Sequence, residues 1–418
     1  MRFASLSLFL VVLLGTTSCQ QSPAKTAATR PPGELLILLS IDGFRWDYLD
    51  RYDAPTLRQL ARDGVHARRM TPSFPSKTFP NHYTLVTGLR PEKHGIVSNW
   101  FWDPAFAETF GMSKPDSNAQ SRWWDEGEPI WITAEKQGVR SVCYFWPGSE
   151  TDVQGVRPSR FQKFNGKQKS DARVDGLLAW LDVPAEQRPK FATLYFDLVD
   201  HAGHNFGPES AECAAAVHEA DAAVARLLAG LAARGLREQT NLVIVADHGM
   251  SACGPDRIIF LEDLMDVSKV RVESTGPNGG VRPLPGTVSA AELAASIRAK
   301  APPQLEVYLR EEMPARLHYR NNPRIPDVVL LAAPHWNIES KVGWPARRVT
   351  YVKGTHGWDP ALPDMGALLL ANGPAFRRGH EFADVENIHL YNLLCAVLGI
   401  RPAPNEGDDR LVREALAR

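Results

Sequence analysis

The chain has 418 residues, of which 44% are hydrophobic and 23% are charged, as in an ordinary globular protein. This length is sufficient for one large α/β domain or two ordinary domains with a sizeable buried core. Its 47 basic and 48 acidic side chains give a formal net charge of −1. Because nucleic-acid-binding proteins usually carry a basic excess, this balance argues against a specific nucleic-acid partner, although it does not exclude a local basic patch.

The first 18 residues have the pattern of an export signal. Met1 and Arg2 precede an apolar run over residues 3–14, which small residues follow. Because this run is shorter than the roughly 20 residues that cross a bilayer, we predict a cleaved secretory signal over residues 1–18. The alternative is a retained anchor helix. Residues 19–33 are polar and proline-rich, which is typical of a tether.

Cys19 follows Thr-Thr-Ser, as in a bacterial lipoprotein cleavage site. Thr16 stands where leucine is usual, so the sequence leaves open whether Cys19 carries a lipid and tethers the protein to a membrane. The whole segment predicts an exported protein that is periplasmic or envelope-associated in a bacterium. It says nothing about the oligomeric state.

Four cysteines follow this segment: Cys143, Cys213, Cys253 and Cys395. Export permits disulfides, and four cysteines allow three complete pairings. Their spacing is not that of a structural zinc site. Cys395 lies in an apolar run, where a buried free thiol is the simplest expectation.

Apolar strand-like runs alternate with helix-like segments along the chain. In chain order, we predict a strand at 35–41, a helix at 55–63, a strand at 140–145, a helix at 174–181, a strand at 191–198, a helix at 211–233 and a strand at 242–246. A core strand at 367–370 and a helix at 389–398 complete the pattern. Such alternation predicts an α/β fold with a mostly parallel central sheet and helices on both faces.

Residues 253–350 have a different character. They contain a glycine- and proline-rich segment at 274–286, a predicted helix at 290–300, and predicted strands near 305–309 and 328–331. We interpret them as a variable insertion or subdomain within one catalytic domain over residues 34–405, placed to form a wall of the cleft. Residues 406–418 are then a C-terminal tail.

Side chains that can bind metals follow several predicted strands. Ligands of open α/β sheets bind beyond the carboxyl ends of the strands, so we expect these residues to meet there. Aspartate and histidine are both zinc ligands, and the set is large enough for two ions. The candidates are Asp42, Asp200, His204, Asp247, His248 and His356.

Each candidate ligand by itself has a structural interpretation, such as a helix cap. His201 is excluded from the set because, in an extended segment, its side chain would point away from that of Asp200. The remaining histidines are interpreted as solvated or core residues: His66, His82, His94, His218, His318, His335, His380 and His389.

Thr78 is the candidate nucleophile. It lies in a proline-rich loop over residues 72–83, before a helix-like stretch at 83–86. Backbone N–H groups near a helix start can receive developing phosphate charge, and metal coordination would lower the pKa of the hydroxyl. Without the metal ligands, a helix N-cap would be the preferred interpretation of this threonine.

Six sequence blocks in one order carry a family resemblance. They are S-I-D-G-F-R-W-D-Y from Ser40, P-S-F-P-S-K-T-F-P-N-H-Y-T-L-V-T-G from Pro72, H-G-I-V-S-N from His94, D-H-A-G-H-N-F-G-P from Asp200, A-D-H-G-M from Ala246 and T-H-G-W-D from Thr355. From about residue 35 to residue 405, the chain closely resembles the nucleotide pyrophosphatase/phosphodiesterase family of the alkaline phosphatase superfamily.

The resemblance implies an alkaline-phosphatase-like three-layer sandwich and two Zn²⁺ ions per chain. Thr78 would be the nucleophile, and Asn99 with the Phe79 N–H would contact a phosphate oxygen. Phe79 and Tyr195 would sandwich a nucleotide base. One zinc would be held by Asp42, Thr78, Asp247 and His248, and the other by Asp200, His204 and His356.

The implied activity is hydrolysis of phosphodiester or pyrophosphate bonds of nucleotides through a phosphothreonine intermediate, releasing nucleoside 5′-monophosphates. The sequence departs from the family pattern at Leu198-Val199, where Glu-Pro is frequent, and at Trp358, where tyrosine is more usual. Neither departure removes a predicted ligand.

Three alternatives remain at the level of sequence. The same metal core serves phosphomonoesterases and phosphodiesterases that act on lipid headgroups. A non-catalytic, zinc-dependent envelope binding protein is the third alternative, which the intact nucleophile and ligand set disfavour.

Overall fold

The computed structural model describes residue 1 and residues 35–417. The predicted signal over residues 1–18, apart from Met1, and the tether with Cys19 therefore lie outside the described residues. Within the described part of the chain, no helix has the length and apolar character needed to cross a membrane.

The strands of the described residues form one large sheet and several small ones. In chain order they are β1 (Leu35–Ile41), β2 (Val65–Ala67), β3 (Met70–Thr71), β4 (Trp100–Asp103), β5 (Glu108–Gly111), β6 (Ser141–Tyr144), β7 (Arg160–Gln162), β8 (Phe191–Phe196), β9 (Thr240–Val245), β10 (Ser251–Ala252), β11 (Ile258–Phe260), β12 (Val270–Ser274), β13 (Asn278–Pro283), β14 (Leu305–Leu309), β15 (Val328–Ala332), β16 (Asn337–Glu339), β17 (Gly354–Thr355), β18 (Leu369–Asn372), β19 (His380–Phe382) and β20 (Val385–Glu386).

The α-helices of the same residues are α1 (Tyr48–Arg51), α2 (Pro55–Asp63), α3 (Thr78–Thr87), α4 (Pro91–His94), α5 (Pro115–Asn118), α6 (Ile130–Lys136), α7 (Ser170–Leu181), α8 (Leu198–Phe206), α9 (Ala211–Ala233), α10 (Leu261–Leu264), α11 (Ala290–Arg298), α12 (Trp344–Val349), α13 (Leu390–Leu398) and α14 (Arg410–Ala415).

The central sheet has eight strands in the order β19-β2-β18-β9-β1-β8-β6-β7. Strand β1 lies parallel to both β8 and β9, and β6 lies parallel to β8 and β7. Strand β18 is antiparallel to β9 and to β2. Every residue of β1, β8 and β9 is buried. This burial explains why these strands are continuous apolar runs, and it confirms the predicted mostly parallel α/β sheet.

Two groups of helices cover this sheet. Helix α9 packs against α2, α7 and α8, while α13 packs against α3, α6 and β1. Four strands outside the central sheet, β12-β13-β15-β14, form a smaller antiparallel sheet that α11 covers. This part of the chain has an apolar core of its own, built around residues such as Leu293, Ile297, Val328 and Leu330.

The glycine- and proline-rich segment 274–286 contains a strand, β13, that the sequence did not predict. Glycine is required at position 280 of this strand, because a Cβ there would lie 2.3 Å from Cγ of Pro326. Glycine therefore permits a close approach of Pro326 rather than a turn at this point.

The four described cysteines are free thiols. Cys143, Cys213 and Cys395 are buried, and Cys253 is half-buried. Burial raises the pKa of the Cys395 thiol to about 12, as expected for a cysteine in an apolar helix.

His94, interpreted from sequence as solvated or core, is a buried histidine beneath α3. The Ile96 N–H donates to its Nδ1 at 3.2 Å, and its Nε2 lies 3.0 Å from Thr84 Oγ1. Burial is the main cause that lowers the pKa of His94 from 6.5 to about 3. The histidine therefore becomes protonated near pH 6.5 in the unfolded chain but only near pH 3 in the folded chain.

We expect His94 to make folding sensitive to acid. Because its folded pKa is depressed, its contribution to the free energy of unfolding falls as pH decreases below 6.5. The loss is about 2 kcal/mol at pH 5. Urea unfolding of metal-free protein at neutral pH and at pH 5 measures it. His94→Gln should lose less stability between these conditions than the wild type, and equal losses would contradict the prediction.

Candidate active site

The predicted ligands converge at one edge of the central sheet. Asp42 directly follows β1, and Asp247 lies two residues after β9. The Asp42 N–H bonds the carbonyl of Phe196 at the end of β8, and the Gly43 N–H donates to Asp247 Oδ1 at 3.2 Å. These contacts join the ends of three neighbouring strands, as expected for a ligand site of an α/β sheet.

Thr78 is the first residue of α3 and not a helix cap. Lys77 occupies the N-cap position, and no side chain caps this helix. The Thr78 side chain is free to face the site, where its Oγ1 lies 3.3 Å from Nε2 of His248. The helix begins five residues earlier than the sequence predicted, which places the threonine hydroxyl at its N-terminus.

Asp42, Asp247 and His248 form the first ligand group. One ligand atom from each lies within 4.8 Å of the others, and all three side chains are buried. Nε2 of His248 lies 2.8 Å from Asp247 Oδ2 and 3.6 Å from Asp42 Oδ1. This group includes three of the residues that the family resemblance assigns to one metal ion, and Thr78 lies beside it.

Asp200, His204 and His356 lie beside the first group. The segment after β8 turns into α8, so Asp200 and His204 lie one helical turn apart on one face. Asp200 Oδ1 is 3.4 Å from Nε2 of His204 and 3.7 Å from Nε2 of His356. Asp200 and His356 also form a compact group with His248. His248 therefore belongs to this group as well as to the group of Asp42 and Asp247.

The helix corrects the reasoning about His201. The sequence interpretation took this segment as extended, but residues 198–206 are helical and His201 is exposed. Its exclusion from the ligand groups agrees with the geometry for a different reason, since residues one apart on a helix point about 100° apart.

Each candidate histidine ligand has its Nδ1 directed at a backbone carbonyl. Nδ1 lies 2.8 Å from the carbonyl oxygen of Gly354 for His204, of Gly249 for His248 and of Ser76 for His356. A carbonyl can only accept, so Nδ1 carries the proton in each ring. Nε2 is thereby left to face the site, which is the arrangement that metal-binding histidines use.

Two carboxylate oxygens of the site lack the partner that burial normally demands. Asp42 Oδ1 and Asp200 Oδ1 are buried without a hydrogen-bond partner, and Asp247 Oδ2 faces the ring nitrogens of His248 and His82. Burial, together with Asp247 and Asp200, raises the pKa of Asp42 well above its usual range. Burial also lowers the pKa of His356, so this ring supplies no positive charge.

Asp247 is held in its ionised form. Burial acts against ionisation, but His248 and His82 outweigh it and hold the pKa of Asp247 below its usual range. Clustered carboxylate oxygens with imidazole nitrogens are the donor set of a divalent cation. The residues present therefore fit metal ions.

Asn99 and the Phe79 N–H, both predicted to contact phosphate, bond to each other. The Phe79 N–H donates to Asn99 Oδ1 at 2.9 Å. This contact fixes the orientation of the side-chain amide and leaves the Asn99 NH₂ group as the donor that can reach an anion.

An aromatic pocket lies next to Thr78. Phe79 and Tyr195 both line it, together with Trp146, Phe164 and Asp197, which the sequence interpretation did not single out. The Phe164 side chain is 51% exposed and meets the Tyr195 ring edge-on, with 5.9 Å between ring centroids. These additional residues come from separate loops, so no local pattern in the sequence identified them.

Tyr195 also contacts a candidate ligand. Its hydroxyl donates to Asp42 Oδ2 at 2.6 Å, which leaves Asp42 Oδ1 directed into the site without a partner. The family resemblance implied only a contact with a substrate base for this residue.

His82 is a supporting residue that the sequence interpretation treated as an ordinary core histidine. It is fully buried, with Nδ1 2.9 Å from the carbonyl oxygen of Thr78 and Nε2 2.8 Å from Ser40 Oγ. Its ring also lies 3.4 Å from Asp247 Oδ2. The spacing of four residues from Thr78 would have identified it, had the helix been predicted to begin at Thr78.

Known proteins resemble this chain in sequence and in fold. The sequence model of the type I phosphodiesterase/nucleotide pyrophosphatase family matches residues 36–359. An uncharacterised pyrophosphatase/phosphodiesterase of Schizosaccharomyces pombe is 38% identical over 89% of this chain and 78% of its own length. The venom phosphodiesterase of Macrovipera lebetinus is 38% identical over 93% of this chain, which spans 46% of that protein.

The structure of mouse ectonucleotide pyrophosphatase/phosphodiesterase 5 superposes with a TM-score of 0.86 at 32% identity, covering 92% of this chain and 100% of that one. An inactive threonine-to-alanine variant of the mouse protein in complex with AMP matches equally well. The family match, the sequence identity over most of the chain and the shared fold show that this chain belongs to the type I phosphodiesterase/nucleotide pyrophosphatase family of hydrolytic, metal-dependent enzymes.

Proposed function

We propose that the protein hydrolyses phosphodiester or pyrophosphate bonds of nucleotides and releases nucleoside 5′-monophosphates. The observation that carries this proposal is the position of Thr78 at the start of α3. Its Oγ1 lies 3.3 Å from His248 Nε2, beside the buried carboxylates of Asp42 and Asp247. A hydroxyl in this setting is suited to attack an anionic phosphate, because metal cations held by the carboxylates would neutralise the charge of the alkoxide and of the phosphate.

The chain's own residues would have distinct tasks. Thr78 Oγ attacks the phosphorus to give a phosphothreonine that still carries the nucleoside, and water then releases the monophosphate. The Asn99 NH₂ group binds a non-bridging phosphate oxygen and keeps the phosphorus in line with Thr78. Two Zn²⁺ ions would ionise the Thr78 hydroxyl and the hydrolytic water and neutralise the leaving oxygen.

The ligands would be divided between the ions as the family resemblance implies. Asp42, Asp247, His248 and Thr78 would hold one zinc, and Asp200, His204 and His356 would hold the other. The backbone carbonyls that bond Nδ1 of the three histidines support this assignment, because they fix Nε2 as the coordinating atom.

The aromatic pocket supports a nucleotide substrate over a lipid headgroup or a simple monoester. Phe79, Tyr195, Trp146 and Phe164 offer flat rings next to the nucleophile, which suit a planar base. The AMP complex of the mouse relative gives independent support for a nucleoside monophosphate as a ligand.

A substrate panel on purified, zinc-loaded protein tests this proposal. We expect the nitrophenyl ester of thymidine 5′-monophosphate to be cleaved with a kcat/KM at least about 100-fold above that of nitrophenyl phosphate or glycerophosphocholine. A preference for nitrophenyl phosphate would favour a phosphomonoesterase, and a preference for glycerophosphocholine a headgroup phosphodiesterase. Absence of turnover on every ester by zinc-loaded protein would favour a binding protein.

Tyr195→Phe separates the two contacts of this tyrosine. The variant keeps the ring in the aromatic pocket but removes the hydrogen bond to Asp42 Oδ2. Because partners of metal ligands typically contribute 10–100-fold to metal affinity or activity, we expect kcat/KM and zinc affinity to fall by about that factor. Zinc titration with turnover measurements checks this, and Tyr144→Phe is a control whose hydroxyl bonds Gln168 instead. Unchanged zinc affinity and kcat/KM would mean that the hydrogen bond from Tyr195 to Asp42 contributes to neither metal binding nor catalysis.

We also propose that the protein is exported to the periplasm or envelope, on the pattern of residues 1–18 and with lipid attachment at Cys19 undecided. Residues 34–405 would be its catalytic domain, with 253–350 as an insertion. The separate apolar core around Leu293 and Leu330 supports the insertion.

A further inference from the structure

The segment that carries His356 lies between two parts of the chain. On one side, in the proline-rich loop that precedes α3, the carbonyl oxygen of Ser76 lies 2.8 Å from Nδ1 of His356. The Ser76 hydroxyl also donates to the carbonyl of Trp358 at 3.1 Å. On the other side, the proposed insertion 253–350 meets the segment at Trp358 and through Asn278. The position of one proposed metal ligand therefore depends on contacts from both sides.

The Trp358 side chain joins this segment to the insertion. It is buried, and its indole N–H is shared between the carbonyl oxygens of Ala333 and Trp336, at 3.1 Å from each. Both carbonyls belong to the turn between β15 and β16. Trp358 is also one of the positions at which the sequence departs from the family pattern, and this contact depends on an indole N–H that the more usual tyrosine lacks.

The turn that accepts this hydrogen bond is itself firmly held. Ala332 and Ile338, on either side of it, belong to the apolar core of the insertion, and Trp336 packs against that core. The Trp336 N–H also donates to the carbonyl of Ala333 at 3.0 Å, which closes the turn. Trp358 is thus bonded to a rigid part of the insertion.

Asn278 provides a second contact between the insertion and this segment. It lies at the start of β13, it is buried, and its side-chain amide donates to the carbonyl of Gly357, the residue after His356. Gly357 has a φ of +120°, and a Cβ there would lie 3.1 Å from Asn278 Nδ2 and 3.3 Å from Cε of Lys77. The backbone next to His356 is therefore confined between the insertion and the residue that precedes Thr78.

His356 needs such support more than the ligands of the first group do. Asp42 directly follows β1 and Asp247 lies two residues after β9, and both strands are buried in the central sheet. His356 instead follows β17, which has only two residues and forms a two-stranded sheet with β10. A ligand at the end of so short a strand takes its position from tertiary contacts.

We propose that the insertion positions His356 for the metal ion assigned to Asp200, His204 and His356, with Trp358 and Asn278 as the positioning residues. Neither residue is a candidate ligand. Both act on the backbone that follows His356 and thereby on the direction of its Nε2. Because the central sheet anchors the first ligand group, loss of these contacts should weaken the binding of one ion and not of the other. This inference rests on the proposed function, since it takes His356 as a metal ligand.

Zinc titration of metal-free protein against a chelator of known affinity tests the proposal in two single-site backgrounds. Asp247→Asn removes a ligand of the first group, so the remaining ion reports on His356, and Asp200→Asn does the reverse. Adding Trp358→Phe should raise the zinc Kd at least about 10-fold in the Asp247→Asn background and less than about threefold in the Asp200→Asn background. A residue that only stabilises the fold would change both values alike.

A second variant and a matched control accompany this change. Asn278→Ala removes the other contact and should cause the same selective loss, which keeps the test valid if Trp358→Phe does not fold. Trp131→Phe makes the same substitution at a fully buried tryptophan whose indole N–H has no hydrogen-bond partner within residues 35–417. This control should alter the zinc Kd in neither background.

Turnover of a nucleotide diester gives a further readout. When zinc is limiting, Trp358→Phe in the otherwise unchanged protein should lose activity. With zinc buffered roughly tenfold above the Kd of the variant, turnover should return to within about threefold of the wild type, because excess metal refills a weakened site by mass action. A loss that excess zinc does not reverse would contradict an effect on metal binding.

Equal changes of the zinc Kd in the two backgrounds would overturn the proposal, because they would assign Trp358 and Asn278 to overall stability. An unchanged Kd in both backgrounds would overturn it as well. Either result leaves the proposed function intact, since the wild type would still bind two ions and cleave the diester. Failure of the zinc-loaded wild type on every diester would instead refute the proposed function, and the titration would still show whether the insertion positions His356.

Discussion

Replacing Thr78 by alanine should reduce turnover of a nucleotide diester by about 10,000-fold or more, since loss of a covalent nucleophile has an effect of that order. The side chain is 6% exposed and caps no helix amide, so its removal should have little effect on α3. We therefore expect the variant to retain its fold, its zinc content and its affinity for AMP. Steady-state kinetics, metal analysis and AMP titration measure these three properties.

Two further variants make the result specific. Thr78→Ser retains a hydroxyl at the same position and should recover a measurable part of the activity. Thr87→Ala removes a threonine from the other end of α3, where Oγ1 donates to the Tyr83 carbonyl at 2.7 Å, and should leave turnover near the wild-type value. If Thr78→Ala kept more than about a tenth of the activity, Thr78 would not be the nucleophile.

Changing Asp247 to asparagine should remove both bound metal and activity. The substitution preserves the shape of a fully buried side chain but deletes the charge that faces His248 and Asp42. We expect the zinc content to fall by about one ion per chain. Turnover should fall by about 1,000-fold or more, because a metal ion contributes several kcal/mol of transition-state stabilisation.

Asp221→Asn is the matched control for this loss. Asp221 is also a buried carboxylate, but it accepts hydrogen bonds from the N–H groups of Thr56 and Leu57 at the start of α2. Its substitution should lower the free energy of unfolding by about 1–3 kcal/mol and leave the zinc content and kcat unchanged. Full zinc content in Asp247→Asn would show that this carboxylate is not a ligand.

The sequence was most informative where burial imposes a simple pattern. Strands β1, β8 and β9 are covered on both faces, so each is a nearly unbroken apolar run that can be identified without an alignment. Because parallel strands end at a common edge, the polar residues after them could be expected to meet. The proximity of Asp42, Asp247 and His248 follows from that rule.

The start of α3 could not be derived in the same way. Three prolines, at positions 72, 75 and 80, predict an irregular loop. Pro80 nevertheless lies within the first turn of α3. Proline is tolerated in the first turn because its missing N–H has no partner there in any case. The same misplacement hid His82, which lies one turn after Thr78 and contacts its carbonyl.

The prediction for the segment after β8 was wrong for a different reason. Leu198 and Val199 continue the apolar run, so the strand was extended to residue 198, but it ends at Phe196 and α8 begins at Leu198. The spacing of four between Asp200 and His204 was the local sign of a helix. The aromatic pocket gave no such sign, since Trp146 and Phe164 lie far from Phe79 along the chain.

The stereochemical course at phosphorus tests the central claim, that Thr78 forms a covalent intermediate, most directly. The substrate is a nucleoside 5′-phosphorothioate diester of known configuration, hydrolysed in isotopically labelled water. Two successive in-line displacements, first by Thr78 and then by water, each invert the phosphorus, so the product should show net retention. Net inversion would mean that water attacks the diester directly, and it would contradict a nucleophilic role for Thr78.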